Sequence, residues 1–434
     1  MGWTVRGTVE RGWQVPLIWA AVGTVLGVVL VLVTTAVTAV VNDPDALEPG
    51  EIVVLSGRDD SIGGQRQVLV NQWNELHPGN RARIVELSGL ADAQRAEMLA
   101  RAQSGRGEVD VLNLDVTWTA EFAEAGYIRS LDESRVRTGG FLDKPLATCR
   151  YGGRLWALPF NTDAGLLYYR PDLVAGPPLT WDGLERDVVE ARARPGNTAD
   201  GYAGQLADYE GLTVNALELV AGSADEPLAG EDGVLDLDGH ETALVSGLER
   251  LRTIAPAGVP DLDETRSIEL FRSGRALFMR NWPVAYRSLA QDGEGGPGVP
   301  FDVALLPAGT AVLGGQNLAV SADSRRPRAA QALVEFLTNE RSQQILFERG
   351  GLPATRAVVY HDQAVRDRYP YVTTLAEAVD RAVLRPAEPH YARFSEVFRT
   401  AVDGYLRRGA QLPADLADQL AAARQGRLTP VDGE

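Results

Sequence analysis

The stretch ALFMRNWPVAY, Ala276 to Tyr286, runs from mostly apolar residues straight into Arg280, Asn281, Trp282 and Pro283. An indole beside a proline at a strand end is either core or a flat wall for a bound molecule, because Trp joins a large apolar face to one N–H donor. Acids close other strand-like runs. Asp115 ends VDVLNLD, and Asp163 lies two residues beyond Asn161 in ALPFNTDAGLLYY. A carboxylate accepts hydrogen bonds at both oxygens, and charge-assisted bonds are stronger than neutral ones. Each acid also has a plainer reading: Asp115 as an N-cap for TWTAEF, Asp163 as a turn residue.

The signatures of covalent and metal chemistry are missing. Lys144 is the only lysine among 42 Lys and Arg residues, and Pro145 follows it, so there is no P-loop lysine. A Schiff base would have to use Lys144 itself. Cys149 is the only cysteine, which excludes an intramolecular disulfide and a Cys-rich metal site and reads as an inert buried thiol. His77, His240, His361 and His390 are far apart, with no H-E-x-x-H pair, and no G-x-S-x-G elbow occurs. No catalytic residue, metal or cofactor is therefore expected. A glycosidase with a carboxylate pair leaves no short motif and stays open on this count.

The chain has 434 residues, enough for two domains or one large bilobal unit, and its 45% hydrophobic and 23% charged residues are those of a globular protein. A net charge of −17 argues against nucleic acid and against docking on anionic lipid through basic residues. The N-terminus differs from the rest. Residues 15–41 carry no charge and are long enough to span a bilayer, with Arg6 and Arg11 before them and Asp43 and Asp45 after. The positive-inside rule places residues 1–14 in the cytoplasm and the remainder outside, at the extracellular face of the plasma membrane. The run is read as an anchor, with a cleaved signal segment and a secreted product as the alternative. No cysteine directly follows it, so a lipoprotein is excluded.

Residues 42–50 form a polar Pro/Gly linker. The pattern then reads strand (EIVVLSG), helix (about Gln65 to Leu76, closed by His77-Pro78-Gly79), strand (ARIVELSG), helix (about Asp92 to Gln103), strand (VDVLNLD) and helix (TWTAEFAEAG). That alternation implies a parallel sheet flanked by helices, with ligands beyond the carboxyl ends of the strands. Gly57–Asp59, Ser88–Gly89 and Asp115–Trp118 sit at those ends, with Trp118 itself read as core. FDVALLPAG and GGQNLAVSA read as further strands, and beyond Pro353 the chain is mainly helical.

ALPFNTDAGLLYYRPDLV together with DVLNLDVTWTAEFAEAGYIRSL resembles the extracellular solute-binding proteins that serve sugar-importing ABC transporters, most closely the trehalose/maltose-binding branch. The YEGLT segment (Tyr209 to Thr213), the G-x-A-x-F-M-x-N-W-P strand end (Gly274 to Pro283) and the L-G-G-x-N-L-A segment (Leu313 to Ala319) follow in order, and the likeness runs from Ile52 to about Tyr405. Each motif is weak alone; their order is specific. The resemblance implies a two-lobed α/β fold of the periplasmic-binding-protein type II. Each lobe would be a mainly parallel sheet flanked by helices, with the ligand cleft between them. Lobe 1 would comprise residues 51–160 plus about 300–350, and lobe 2 about 161–299 plus 351–434.

It also implies no covalent chemistry but capture of a disaccharide-like sugar, trehalose or maltose being candidates, and delivery to an ABC permease. Sugars offer apolar C–H faces and many hydroxyls, so aromatic walls, acids and arginine forks suit them. By matching motifs, Asp115, Asn161 and Asp163 would contact ligand, Trp282 would be the stacking platform, and Gly314 and Gly315 would offer backbone N–H groups. Arg385 and Tyr391 match a C-terminal Arg…Tyr pair, Arg95 matches an arginine at the start of the second helix, and Tyr209 and Glu210 face the cleft. Arg58 and Asp59 after the first strand are more charged than a neutral sugar demands. Asn161 stands where some sugar-binding relatives have an aromatic, and Gln316 where Trp is expected. Two further readings stay open: a membrane-anchored glycan hydrolase using a carboxylate pair, and a solute-sensing subunit of a membrane signalling complex.

Overall fold

In the computed structural model, the described residues are 46–427 apart from 231–233, 235, 238 and 291–297, together with isolated positions (2, 23, 24, 27, 28 and 31) nearer the N-terminus. The chain divides into two compact units, Met1–Leu47 and Glu48–Glu434. The expected anchor at 15–41 falls outside the described residues apart from five of those positions, and among the described residues no helix is long and apolar enough to cross a membrane.

Among its described residues, the second unit is built on two main sheets, with one small hairpin besides. The first takes β1 (Ile52–Ser56), β2 (Ala82–Glu86) and β3 (Val111–Asp115) in parallel, in the order β2-β1-β3. Each of these strands is short, carries at least one β-branched residue and is followed by a helix, as the sequence pattern requires. The helix Gln65–Leu76 ends at His77 just before Pro78, as expected. A small hairpin, β4 (Arg150–Tyr151) with β5 (Arg154–Leu155), leads into β6 (Ala157–Ala164). Beside the first three strands lies β11 (Leu313–Val320), antiparallel to both β3 and β6, so the order is β2-β1-β3-β11-β6.

The second sheet has the order β10-β7-β9-β8, from β7 (Leu166–Tyr169), β8 (Tyr202–Ala203), β9 (Phe278–Asn281) and β10 (Asp302–Leu305). Only β8–β9 is a parallel pair; β7 is antiparallel to both neighbours. The expectation of a mainly parallel sheet in each lobe is therefore met only in part: the first sheet is parallel at β2–β1 and β1–β3 but antiparallel on both sides of β11, and the second is parallel only at β8–β9. The physical reason is connectivity: β7 enters straight from β6 rather than through a crossover helix, so nothing constrains it to run parallel to its neighbours. Residues from about 300 were expected in the first lobe, yet β10 pairs with β7 in the second sheet, and the chain returns to the first sheet only at β11.

The chain passes between the sheets at Gly165. A Cβ there would lie 2.6 Å from the Glu218 carboxylate and 2.7 Å from Arg280, so only glycine fits the crossing. It passes again between β10 and β11, where Val383 bonds both ways, to Ala311 O and from Leu313 N, each at 2.9 Å. Helices Pro327–Leu337 and Glu340–Gly350 pack on the first sheet and the Gln65–Leu76 helix, while Tyr391–Arg408 packs on the helix Glu210–Ala221. The cavity described next opens between the two sheets beside the crossings.

Candidate functional site

Three adjacent strands of the first sheet make the floor. In register, Gln316 on β11 lies opposite Asp115 on β3 and opposite Asn161 on β6, and Gly314 lies opposite Asp163. Directly opposed residues of antiparallel neighbours project to the same face, so Asp115, Gln316 and Asn161 form one polar row. Asn113 donates to Gln316 Oε1 at 2.7 Å, and Asn161 Nδ2 donates to Asp163 Oδ2 at 3.0 Å. Gly315 has φ +122°, and a Cβ on it would sit 2.3 Å from the Asn161 carbonyl; β11 can press against β6 here only without a side chain. The cavity above this floor measures about 280 Å³.

Trp282 forms the facing wall. It follows β9, half-buried, with its backbone N–H bonded to Asn281 Oδ1 at 2.7 Å. Its indole Nε1 donates to Glu264 Oε1 at 3.2 Å, and Tyr209 donates its phenol proton to Glu264 Oε2 at 2.8 Å. Glu264 begins the helix Glu264–Arg272, whose cap is Asp263, accepting from Arg266 N at 2.8 Å. Behind the indole the Arg280 guanidinium is fully buried in a two-pronged pair with Glu218, at 2.8 and 2.7 Å. The Tyr168 hydroxyl donates to the Trp282 carbonyl at 3.0 Å, which fixes the chain as it enters Pro283. Trp282 thus closes its strand on the cavity with its back and edge both held.

A third cluster ties the two sheets together. Arg385 donates to Glu210 Oε1 at 2.7 Å, to Asp115 Oδ1 at 3.3 Å and to the Leu313 carbonyl at 3.3 Å. Glu210 also accepts from Tyr391 and Ser395, each at 2.5 Å. Burial opposes the charge of Arg385, but Asp115, Tyr391 and Glu210 outweigh it and hold the guanidinium protonated. Asp115 serves as well in the turn expected of it, accepting from Thr117 N at 2.9 Å and Thr117 Oγ1 at 2.8 Å. Burial pushes the Asp163 carboxyl up to about 8, with Arg280 and Asn161 pulling the other way. Burial likewise raises Glu264 and Glu210 above the usual carboxylate range.

Of the residues singled out from sequence, Asp115, Asn161, Asp163, Trp282, Gly314, Gly315, Arg385, Arg58, Tyr209 and Glu210 line this cavity. Three do not. Asp59 turns inward to accept from Ser61 N, Ser61 Oγ and Arg66 N, at 3.0, 2.6 and 3.1 Å, and so closes the turn into the Gln65–Leu76 helix. Arg95 faces Glu121, Nε to Oε2 at 2.7 Å, in a neighbouring cavity. Tyr391 stands behind Glu210 and borders that same neighbouring cavity. Arg58 lies at the rim, exposed and paired with Asp60 at 2.9 Å. Trp118, read as core, is buried and yet borders the cavity. Cys149 is buried as expected, and burial pushes its thiol well up.

Sequence reasoning missed Glu264, Arg66, Gln94 and, as a contact, Gln316, all on the cavity wall. The only local signal for Glu264 was the helix-start pair Asp263-Glu264, which many helices share.

The family model of the bacterial extracellular solute-binding proteins matches residues 60–344. The chain is 31% identical to a probable ABC transporter-binding protein of Deinococcus radiodurans over 79% of this chain and 86% of that one. It is 27% identical to a maltotriose-binding protein of Pyrococcus abyssi over 67% of this chain and 64% of that one. Among solved structures it is similar to maltose-bound MalE3 of T. maritima, at 28% identity and a TM-score of 0.76, covering 87% of this chain and 99% of that one.

Proposed function

Since the chain belongs to the family of bacterial extracellular solute-binding proteins, we propose that it captures a sugar of disaccharide size in the cavity and presents it to an ABC permease. It is the substrate-binding component of a sugar importer. The observation that carries the sugar reading is Trp282: a half-buried indole held flat from behind and at its edge, with Asp163 and Glu264 beside it on the wall. A pyranose ring presents C–H groups to such a face and hydroxyls to the carboxyl groups around it. Maltose, maltotriose and trehalose are the candidates, the first two named for the similar proteins.

In this reading Trp282 stacks against the ring, while Asp115, Asn161, Asp163, Arg58 and Tyr209 meet hydroxyls, and Gly314 and Gly315 allow the ligand close to β11. Glu210 and Tyr391 act through Arg385. Arg385 belongs to the second-lobe cluster and Asp115 to the first sheet, so their contact favours a closed arrangement, and a ligand bridging the cavity would favour it further. No turnover is expected, because Asp115 and Glu210 are both engaged with the Arg385 guanidinium. The uncharged run 15–41 anchors the chain at the extracellular face, or is removed to release it.

Calorimetric titration of the full chain with maltose, maltotriose and trehalose tests the function. Micromolar binding without product formation supports it; absence of binding to all of them removes the sugar assignment. Membrane fractionation together with the mass of the mature chain tests the anchor.

A further inference from the structure

Asn161 and Gln316 oppose each other on β6 and β11 at the cavity floor, and each has one half of its amide unspent. Gln316 gives its carbonyl oxygen to the Asn113 amide at 2.7 Å, and its Nε2 donates to no group among the described residues. Asn161 is the complement. Its Nδ2 donates to Asp163 at 3.0 Å, while its Oδ1 is buried and meets no donor, in a residue only 5% exposed. Buried acceptors without partners are few in folded proteins, and each asks for the group that satisfies it.

We propose that this amide pair reads a vicinal diol of the ligand: one hydroxyl accepts from Gln316 Nε2 and its neighbour donates to Asn161 Oδ1. The inference rests on the sugar-binding reading and goes beyond it, because it gives Gln316 a role in deciding which hydroxyl pattern is accepted. A free donor and a free acceptor on opposed residues of an antiparallel pair stand side by side on one face, as two adjacent hydroxyls do on a sugar. Both amides are oriented from behind, Gln316 by Asn113 and Asn161 by Asp163, so neither can flip without losing an existing bond. Inverting the hydroxyl at Asn161 carries its oxygen off the row and leaves the buried Oδ1 unpaired, and inverting its neighbour forfeits the bond from Gln316 Nε2. Sites that bind hydroxyls by hydrogen bonds reject ligands lacking them far more strongly than apolar pockets reject an extra methylene.

The test titrates the full chain with maltose, maltotriose and trehalose, then with monodeoxy derivatives of the ligand that binds. It repeats both series on Gln316→Glu. That variant keeps an oxygen for Asn113 and replaces the free donor by a second acceptor. The expected result is about a tenfold loss of affinity for each of two deoxy derivatives modified at adjacent carbons, and a similar loss for the parent ligand in Gln316→Glu. In the variant, removing the hydroxyl read by Gln316 should then cost less than about twofold, the mark of a shared interaction, while removing its neighbour, read by Asn161, should still cost about tenfold. Full-strength losses at both carbons in the variant, or no adjacent pair of sensitive carbons in the wild type, overturn the proposal. If Gln316→Glu does not fold, the wild-type deoxy series decides it alone. Failure of the wild type to bind any of the three parent ligands is a different outcome: it overturns the sugar reading, and this inference with it.

Discussion

The guanidinium carbon of Arg280 lies 3.8 Å from the centre of the Trp282 ring, on the side away from the cavity. Two residues apart on one strand end, they occupy opposite roles. Arg280 is fully buried and neutralised by Glu218, while Trp282 presents its other side to the space between the sheets. A cation over an indole holds the ring electrostatically, and here it also backs the ring sterically.

Replacing Trp282 by Ala should weaken sugar binding by about tenfold or more, equivalent to about 1.4 kcal/mol. Titration calorimetry beside the unchanged protein measures it. Equal affinity in the two would remove the stacking platform from the site.

Arg280→Met leaves the Glu218 carboxylate buried without its cation, and breaking a buried pair on one side costs about 3–5 kcal/mol. Urea unfolding should show that loss. The double change Arg280→Met with Glu218→Leu should recover most of it, because no uncompensated charge then remains. Equal destabilisation by the single and double variants would mean that the cost is packing rather than charge.

Stability should fall as pH rises. The Asp163 carboxyl ordinarily titrates at 3.8 and is pushed up to about 8 by burial in the native state. Between those values the folded chain holds a proton that the unfolded chain has lost, so stability is complete below the lower value and is lost as pH climbs through the upper one. Glu210, Glu218 and Glu264 are raised by burial too and act in the same direction. Urea midpoints of the ligand-free protein should therefore decline from about pH 5 to about pH 8, and Asp163→Asn should flatten part of that decline. An unchanged slope in Asp163→Asn would show that Asp163 is ionised throughout.

The two glycines of β11 should separate by readout. Gly315→Ala places a methyl 2.3 Å from the Asn161 carbonyl at φ +122°, where the backbone has no room to yield. It is expected to cost about 2 kcal/mol or more of stability. In Gly314→Ala the methyl meets the rim of the Trp282 ring at 3.0 Å and the Asp163 Cβ at 3.3 Å. That change should weaken sugar binding more than it lowers the melting temperature, because the indole is the group that must move. Thermal melts paired with titrations read both effects.

Much of the site was legible because it lies where local patterns end. A short β-branched run that stops at an acid, as VDVLNLD does at Asp115, carries its own strand and its own exposed end. The same holds for Asn161 and Asp163 at the end of β6 and for Trp282 after β9. Arg95 and Asp59 misled for a related reason. Both occupy the right local place, but Arg95 found Glu121 and Asp59 found the start of the next helix, and neither partner is visible in spacing.

The sequence by itself determined the alternation of strands and helices, the charge that argues against nucleic acid, the absence of the common catalytic motifs and the residues at the strand ends. Apolar periodicity and residue chemistry act over a few neighbours, so a linear reading reaches them. The tertiary structure decided that β11 inserts antiparallel between β3 and β6, that β10 joins the other sheet, and that the second sheet is mostly antiparallel. It alone brought Gln316 to Asn113 across 203 positions, Arg385 to Asp115 across 270, and Glu264 to the N–H edge of the Trp282 indole. Those pairings come from strand register and from the chain's repeated crossing between sheets. Residues far apart in the sequence become partners there because the two sheets bury a shared set of polar groups that must satisfy one another.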